Sequence, residues 1–349
     1  MLSLDKAILE RDSAVQKRLL ALSEKAGEIT ALVPGEKDEK VEVSPHLTVY
    51  SVAGPKVMQL WKMWAKGTSF ISFDLITVQD AYFLGFLAVQ LGKKFSIPVE
   101  VQVHGFEKKE GSRAHLARYV LSHATKIRVV SERLEQELIS NLQSPISKLY
   151  KLPVCTQVEA PQRGFRRKTV PYPFTFLTVG RLVPVKNIGL QIRALAKLSE
   201  KIPHIRLQIV GDGPLAESLK LEVKSLELED KVLFEGRQEQ VNMYYEEADA
   251  FLLTSDSEGW GRVVLEAAAH KLPIIMTDVG LAREVIQNEV NGLIIPVGDE
   301  QELVRAMRDL LDKPELRERL GEGALRAFKA LPSMEEHIEK QVTEWGSLR

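Results

Sequence analysis

The run Ser257-Glu-Gly-Trp-Gly-Arg-Val-Val-Leu-Glu266 holds the densest chemistry in this chain of 349 residues. Glu258 and Glu266 stand eight positions apart, the first beside the glycines of a turn (Gly259, Gly261), the second inside a helical pattern from Val263 to Ala269. An apolar, strand-like stretch, Ala-Phe-Leu-Leu-Thr-Ser at 250–255, comes just before. Strand, glycine turn and helix start together present unpaired backbone N–H groups and a positive dipole end to an anion. An acid before the turn and another about a turn into the helix could then hold hydroxyls on either side of a phosphate. The pattern predicts a nucleotide-sugar site.

Arg181 and Lys186 follow another predicted strand and are five positions apart. A guanidinium fork and an ammonium could neutralise a diphosphate without a metal ion. Taken alone, the same two residues suit a solvent-facing strand end and helix start. Glu266 lies four residues after Arg262, so its plain alternative is an i,i+4 ion pair worth roughly 0.3–0.5 kcal/mol. Glu258 has the alternative of a solvated loop acid. His104 ends an apolar strand, where a structural role competes with ligand contact. Asp80 reads either as a substrate contact or as the N-cap of a helix from Tyr82 onward. Cys155 is the only cysteine, which rules out an intramolecular disulfide and fits a reducing compartment.

Such residues need a scaffold that gathers strand ends. Short apolar runs alternate with amphipathic patterns along the chain, which predicts parallel sheets with crossover helices. In the second half strands are expected at 174–180, 206–211, 232–236, 250–255, 273–277 and 292–296, with helices at 188–201, 215–225, 241–247, 262–270 and 300–311. Ligands in such sheets collect at the carboxyl ends of the strands. The first half gives strands at 2–5, 28–32, 47–51, 74–78, 99–104, 126–130 and 148–152, and helices at 13–25, 55–66, 82–95, 113–123 and 132–139. A run rich in Pro, Gly and charge, 159–173, reads as a linker. The expected organisation is an N-terminal domain at 1–160, a C-terminal domain at 161–330, and a helix in 331–349 that packs back on the N-terminal domain. A cleft between two such domains is a favoured ligand site.

Lysine plus arginine (47) and aspartate plus glutamate (48) nearly cancel, leaving a net charge of −1 and no case for nucleic-acid binding. No stretch approaches the roughly 20 apolar residues that span a bilayer, and no basic-then-apolar leader opens the chain, so a cytoplasmic protein is expected. Trp61 and Trp64 lie at i,i+3 on a predicted helix with Lys56, Lys62 and Lys66 nearby. Two readings stay open for them: core packing, or contact with an anionic membrane surface at the inner face. The basic run 163–168 reads as part of the solvated linker.

Taken in order, Gly180-Arg-Leu-Val-Pro-Val-Lys-Asn187, Val210-Gly-Asp-Gly-Pro214, Phe234-Glu-Gly236, Glu258 through Glu266, and Thr277-Asp-Val-Gly280 resemble a retaining glycosyltransferase of the two-domain GT-B type, family 4. The first half matches more loosely, through Thr77-Val-Gln-Asp80, Val101-Gln-Val-His104 and Arg128-Val-Val-Ser-Glu132. The resemblance implies an α/β fold of two doubly wound Rossmann-like domains facing across a cleft. It implies transfer of a sugar from a nucleotide-diphosphate sugar (UDP or GDP) to a hydroxyl of a glycan or lipid-linked acceptor in glycan biosynthesis. Retention of configuration and independence of metals and other cofactors come with it.

By the same resemblance Arg181 and Lys186 hold the donor diphosphate, and Glu266 grips the ribose. Glu258 and His104 touch the transferred sugar, and the backbone N–H groups of Arg262 and Val263 meet the phosphates. Gly236, Arg237 and Gln238 pass the base, Asp278 to Gly280 shape the sugar pocket, and Ser13 and Asp80 fall on the acceptor side. One departure stands out. Members commonly carry a Gly-Gly pair after the first strand, whereas 5–14 here contains no glycine: either the loop is remodelled for another acceptor, with Ser13 capping the helix, or the start is trimmed. Two rivals therefore accompany the transferase: a nucleotide-sugar epimerase or hydrolase on the same fold, and a non-catalytic nucleotide-sugar-binding protein.

Overall fold

Apolar runs too short for helices and flanked by glycine must pair as strands, and a computed structural model of the chain shows how. It describes residues 1–70, 73–105, 111–142, 146–156, 158 and 173–348. The expected linker falls outside these except for Pro173, and the basic run 163–168 falls outside them entirely. Two compact units result, Met1–Gln157 with Pro332–Arg349, and Val158–Leu331.

The first unit contains strands β1 (Ile29–Pro34), β2 (Glu39–Ser44), β3 (Leu47–Val52), β4 (Ile76–Val78), β5 (Val99–Val103), β6 (Lys126–Val129) and β7 (Leu149–Lys151). Its helices are α1 (Ala14–Ala26), α2 (Lys56–Ser69), α3 (Phe83–Phe95), α4 (Ser112–His123) and α5 (Glu132–Leu142). β1 pairs with β3 in parallel, and β4 to β7 form a parallel set in sequence order. The expectation of purely parallel sheets needs correction here: β2 lies antiparallel on β3 as an edge strand. Its alternating Glu39, Lys40 and Glu42 charge the free edge and hide the strand from an apolar-run reading.

The first strand expected at 2–5 is also corrected. Only Leu2 makes bridges, to Leu32 and Val78, but these join the two strand sets. Leu2 N donates to Thr77 O (2.8 Å), and Leu32 N donates to Met1 O (2.9 Å). A turn of 3-10 helix, Lys6–Leu9, follows at once; Asp5 accepts from Ala7 N at its start and Ile8 is fully buried.

The second unit contains β8 (Phe174–Val179), β9 (Ile205–Val210), β10 (Val232–Gly236), β11 (Ala250–Leu253), β12 (Ile274–Thr277) and β13 (Leu293–Ile295). Its helices are α6 (Ile188–Ser199), α7 (Ala216–Ser225), α8 (Asn242–Glu247), α9 (Arg262–Ala269), α10 (Glu300–Asp312) and α11 (Pro314–Lys329). All six strands run parallel in the order β10-β9-β8-β11-β12-β13. β11 and β12 are buried at every position, as strands covered on both faces must be. Phe176, Leu195, Leu207, Leu252, Leu303 and Leu310 anchor one core. The strand order reverses between β8 and β11, and that switch point opens the crevice where doubly wound sheets take ligands.

α11 was not expected from the sequence, because Gly321 and Gly323 interrupt its pattern. A side chain at Gly323 would press on Val290 O (2.9 Å) and Asn291 Cβ (2.8 Å), so the glycine is there for close packing. The last helix, α12 (Met334–Gly346), belongs to the first unit. A Ser333/Glu336 capping box starts it, and Ile338 and Trp345 enter the core of Leu19, Leu22, Leu47 and Val49. Lys25 bridges to Glu335 (3.1 Å) and Glu339 (2.7 Å) across α1 and α12. No helix among the described residues is long and apolar enough to cross a membrane.

Candidate active site

The crevice of the second unit is built by two loops, one after β8 and one after β11. Gly180 leaves β8 at φ +159°, and the Lys186 side chain runs over its bare backbone, Cε lying 3.8 Å from where a Cβ would stand. Lys186 then closes an ion pair with Glu258 Oε1, 72 residues away, with both side chains largely buried (20% and 13% exposed). The same carboxylate oxygen accepts from Ser255 Oγ at 2.8 Å. The two loops are tied directly. Asp256 N donates to Val185 O (2.8 Å), Thr254 Oγ1 to Asn187 O (3.0 Å), and Asn187 Nδ2 to Asp256 Oδ1 (3.0 Å). Below them the fully buried Gln191 donates to Thr254 Oγ1 (2.8 Å) and Thr178 Oγ1 (3.3 Å). Arg181 lies at the same strand end, exposed and without an ion-pair partner among the described residues.

Gly261 precedes α9 at φ +90°, a left-handed conformation that a Cβ would strain. No side chain caps this helix, so its first N–H groups, from Arg262 and Val263, emerge without an intrahelical acceptor. The turn is braced from the next strand end. Leu281 N donates to Trp260 O (3.0 Å), and Gly280, at φ +56°, leaves only enough room for hydrogen beside Trp260 O and Glu258 Cβ. Gly259 is half-buried in the turn. These contacts hold the uncapped N-terminal end of α9 beside the Lys186–Glu258 pair.

Glu266 is half-buried one turn into α9. Its Oε2 accepts from Tyr245 Oη at 2.9 Å, and its Oε1 is 4.0 Å from the exposed Arg262 guanidinium. The i,i+4 pair therefore exists but is loose. Gly236 ends β10 at φ +67° with open space where a Cβ would be, and Gln238, exposed beyond it, donates to Glu235 O (2.6 Å). Asp278 is engaged by Arg283 at 2.7 Å. The structure thus gathers Lys186, Glu258, Gly259, Gly261, Arg262 and Val263 around one crevice. Sequence reading missed Ser255, although Glu258 follows it by only three residues, and Tyr245, which stands 21 residues before Glu266.

In the first unit His104 directly follows β5 and is exposed to solvent. Desolvation by surrounding protein, then the charges of Arg128 and Arg18, lower its pKa to about 4, so the imidazole is neutral at pH 7. Solvent access weakens the first cause and leaves the direction intact. Behind it runs a buried polar seam: Glu100 accepts from Thr77, Gln102 (2.9 Å) and Tyr150, and Arg128 donates to Leu152 O (3.0 Å), Pro153 O (3.0 Å) and Gln102 Oε1 (3.3 Å). A fully buried carboxylate and guanidinium persist only with such partners. Asp80 accepts from Leu84 N (2.8 Å) at the start of α3, and Ser13 caps α1 by accepting from Gln16 N (3.0 Å). Core packing of the two tryptophans is corrected: Trp61 is 66% exposed, with Val57 and Met58 beside it, and Trp64 is half-buried under Lys94. The helix buries Met63 and Gly67 instead.

Residues 164–327 match the family model of glycosyl transferases group 1. An uncharacterized glycosyltransferase of Haemophilus influenzae is 32% identical over 175 residues, 50% of this chain and 48% of that protein. N-acetyl-alpha-D-glucosaminyl L-malate synthase of Bacillus anthracis is 38% identical over 140 residues, 40% of this chain and 36% of its own. The chain thus spans about half the length, or less, of these curated relatives. Among solved structures, sucrose-phosphate synthase from Thermosynechococcus elongatus aligns at TM-score 0.83 and 22% identity, covering 99% of this chain and 98% of that one. HepE of Anabaena in complex with UDP aligns at 0.78 and 17%, covering 99% of both. The fold is that of the GT-B glycosyltransferases. Through its second unit the chain is similar to the group 1 glycosyl transferases.

Proposed function

We propose that this chain is a retaining glycosyltransferase of the family 4 type, moving a sugar from a nucleotide-diphosphate sugar to a hydroxyl acceptor without a metal ion. The observation that carries the reading is the meeting of the loops after β8 and β11 at the switch point of the second unit's sheet. It sets a cation (Lys186), a carboxylate (Glu258) and an uncapped helix start (Gly261–Val263) side by side, with Glu266 one turn further on. A diphosphate placed there would meet Lys186, Arg181 and the N–H groups of Arg262 and Val263, which together stabilise it as the leaving group. Its oxygen would take the proton from the incoming hydroxyl on the same face, which gives retention. Glu258, now paired with Lys186, would face the positive charge that grows at the anomeric carbon, and Glu266 would hold the ribose.

A UDP-type donor is supported by HepE, whose structure includes a complex with UDP-glucose, and a GDP-type donor is the alternative. A lipid-linked acceptor is supported by a Campylobacter jejuni relative, 33% identical over 142 residues, whose name gives a diphospho-undecaprenol acceptor. His104, neutral at pH 7, suits a sugar hydroxyl better than a phosphate. Ser13 and Asp80 are both engaged at helix starts, so an acceptor would meet the remodelled 5–14 segment as a whole.

The transfer assay supplies the test. Product from a UDP- or GDP-sugar should keep the donor's anomeric configuration by NMR, and EDTA should leave the rate unchanged. Inverted product, or activity lost to EDTA and restored by Mg²⁺, overturns the mechanism; donor turnover that ignores the acceptor points to an epimerase or hydrolase. We place the enzyme in the cytoplasm at the inner membrane face, supported by exposed Val57, Met58 and Trp61 next to Lys56. Flotation with anionic vesicles should recover the wild type and recover Trp61→Ser poorly; equal recovery counts against membrane contact.

A further inference from the structure

We infer that Tyr245 is a positioning residue for nucleotide recognition, holding one oxygen of Glu266 so that the carboxylate faces the ribose in a fixed orientation. The inference rests on the ribose role proposed for Glu266. Tyr245 sits on the short helix α8, 21 residues before its partner, and only 1% of it is exposed. Its ring is fixed on two sides, tilted against Phe251 (centroids 5.9 Å) and stacked on His270 (5.2 Å, 22°). His270 is itself tethered, Nδ1–H donating to Glu266 O at 2.8 Å, the tautomer a carbonyl partner requires. The phenol therefore reaches Glu266 Oε2 from a surface that cannot move without disturbing α9.

A glutamate has three side-chain torsions, and ordering them on ligand binding costs affinity. The Tyr245 hydroxyl removes that cost beforehand. It occupies one lone-pair direction of Oε2 and leaves the second, with all of Oε1 apart from the loose Arg262 contact, for the two vicinal hydroxyls of a ribose. Burial and the neighbouring Glu266 charge both push the phenol well above its ordinary pKa, so it remains a donor throughout the working pH range.

Calorimetric titration decides it, using UDP and 2′,3′-dideoxy-UDP, or the GDP pair if the wild type binds GDP more tightly. Wild type, Tyr245→Phe and Glu266→Ala are compared. The wild type should prefer the nucleotide that carries hydroxyls, and Glu266→Ala should lose the preference. Tyr245→Phe should lower it by about three- to tenfold while leaving dideoxy-nucleotide affinity unchanged. A general loosening of the fold would weaken both nucleotides equally, and that result overturns the inference. So does a wild-type preference in Tyr245→Phe alongside its loss in Glu266→Ala. A preference that survives in Glu266→Ala overturns the ribose role itself, and the positioning role with it.

Discussion

Lys186 and Glu258 show how a site residue acquires its partner. Each stands in a loop at the carboxyl end of a strand, and the sheet order makes those loops neighbours. The eight-residue spacing of Glu258 and Glu266 was legible because a glycine turn and a helical period are local. The Lys186–Glu258 pair was not, since it joins separate steps of the chain 72 residues apart. If Lys186 stabilises the leaving diphosphate, Lys186→Ala should lower kcat by about 100-fold, the scale of losing one charge-stabilising donor, with a smaller change in KM. Steady-state kinetics at saturating donor check this, and unchanged turnover would exclude Lys186 from the clamp.

At the scale of elements, the loops around α9 depend on backbone fit. Gly280→Ala would force a Cβ to 2.6 Å from Trp260 O and 3.0 Å from Glu258 Cβ, on a residue already at φ +56°. Its cost should be about 1–3 kcal/mol, read as a lower thermal midpoint, together with weaker nucleotide binding because Glu258 and the turn must shift. A variant as stable as the wild type with full affinity would show that the brace does not matter. The strands and helices of the second unit were largely readable from their apolar runs. α11 was not, because its interior glycines lower helix propensity while allowing close packing, Gly321 on Lys271 and Gly323 on Val290 and Asn291. β2 escaped for the opposite reason, as a charged edge strand lacks the apolar run that marks a buried one.

At the scale of the whole molecule, the polar seam of the first unit couples stability to pH. Arg128 lies 3.3 Å from His337 Nε2 on α12, which must accept and so must be neutral. Burial, then the charges of Arg128 and Arg18, lower His337 to about 3 from an ordinary 6.5, and His104 falls to about 4. In the unfolded chain both take up protons as pH drops through 6.5; in the folded chain His337 stays neutral until about 3, and His104, reached by solvent, titrates below its ordinary value. Between these values the unfolded state binds more protons, so stability is full above 6.5 and falls as pH is lowered. Calorimetry should show the thermal midpoint declining from pH 6.5 to 4, with a shallower decline in His337→Gln, whose side-chain carbonyl can still accept from Arg128. Parallel curves for the two proteins would remove His337 from the account.

Local sequence was enough to place the strand–turn–helix unit of Glu258 to Glu266, the Gly180–Lys186 loop and the alternation of strands and helices. Each depends on contacts within a few residues. Which charges meet, how Leu2 joins two strand sets into one sheet, how Tyr245 reaches Glu266 and how α12 settles on α1 were decided only in three dimensions. Strand order and helix docking bring together positions tens to hundreds of residues apart, and burial of apolar surface that sets them is nearly indifferent to sequence distance.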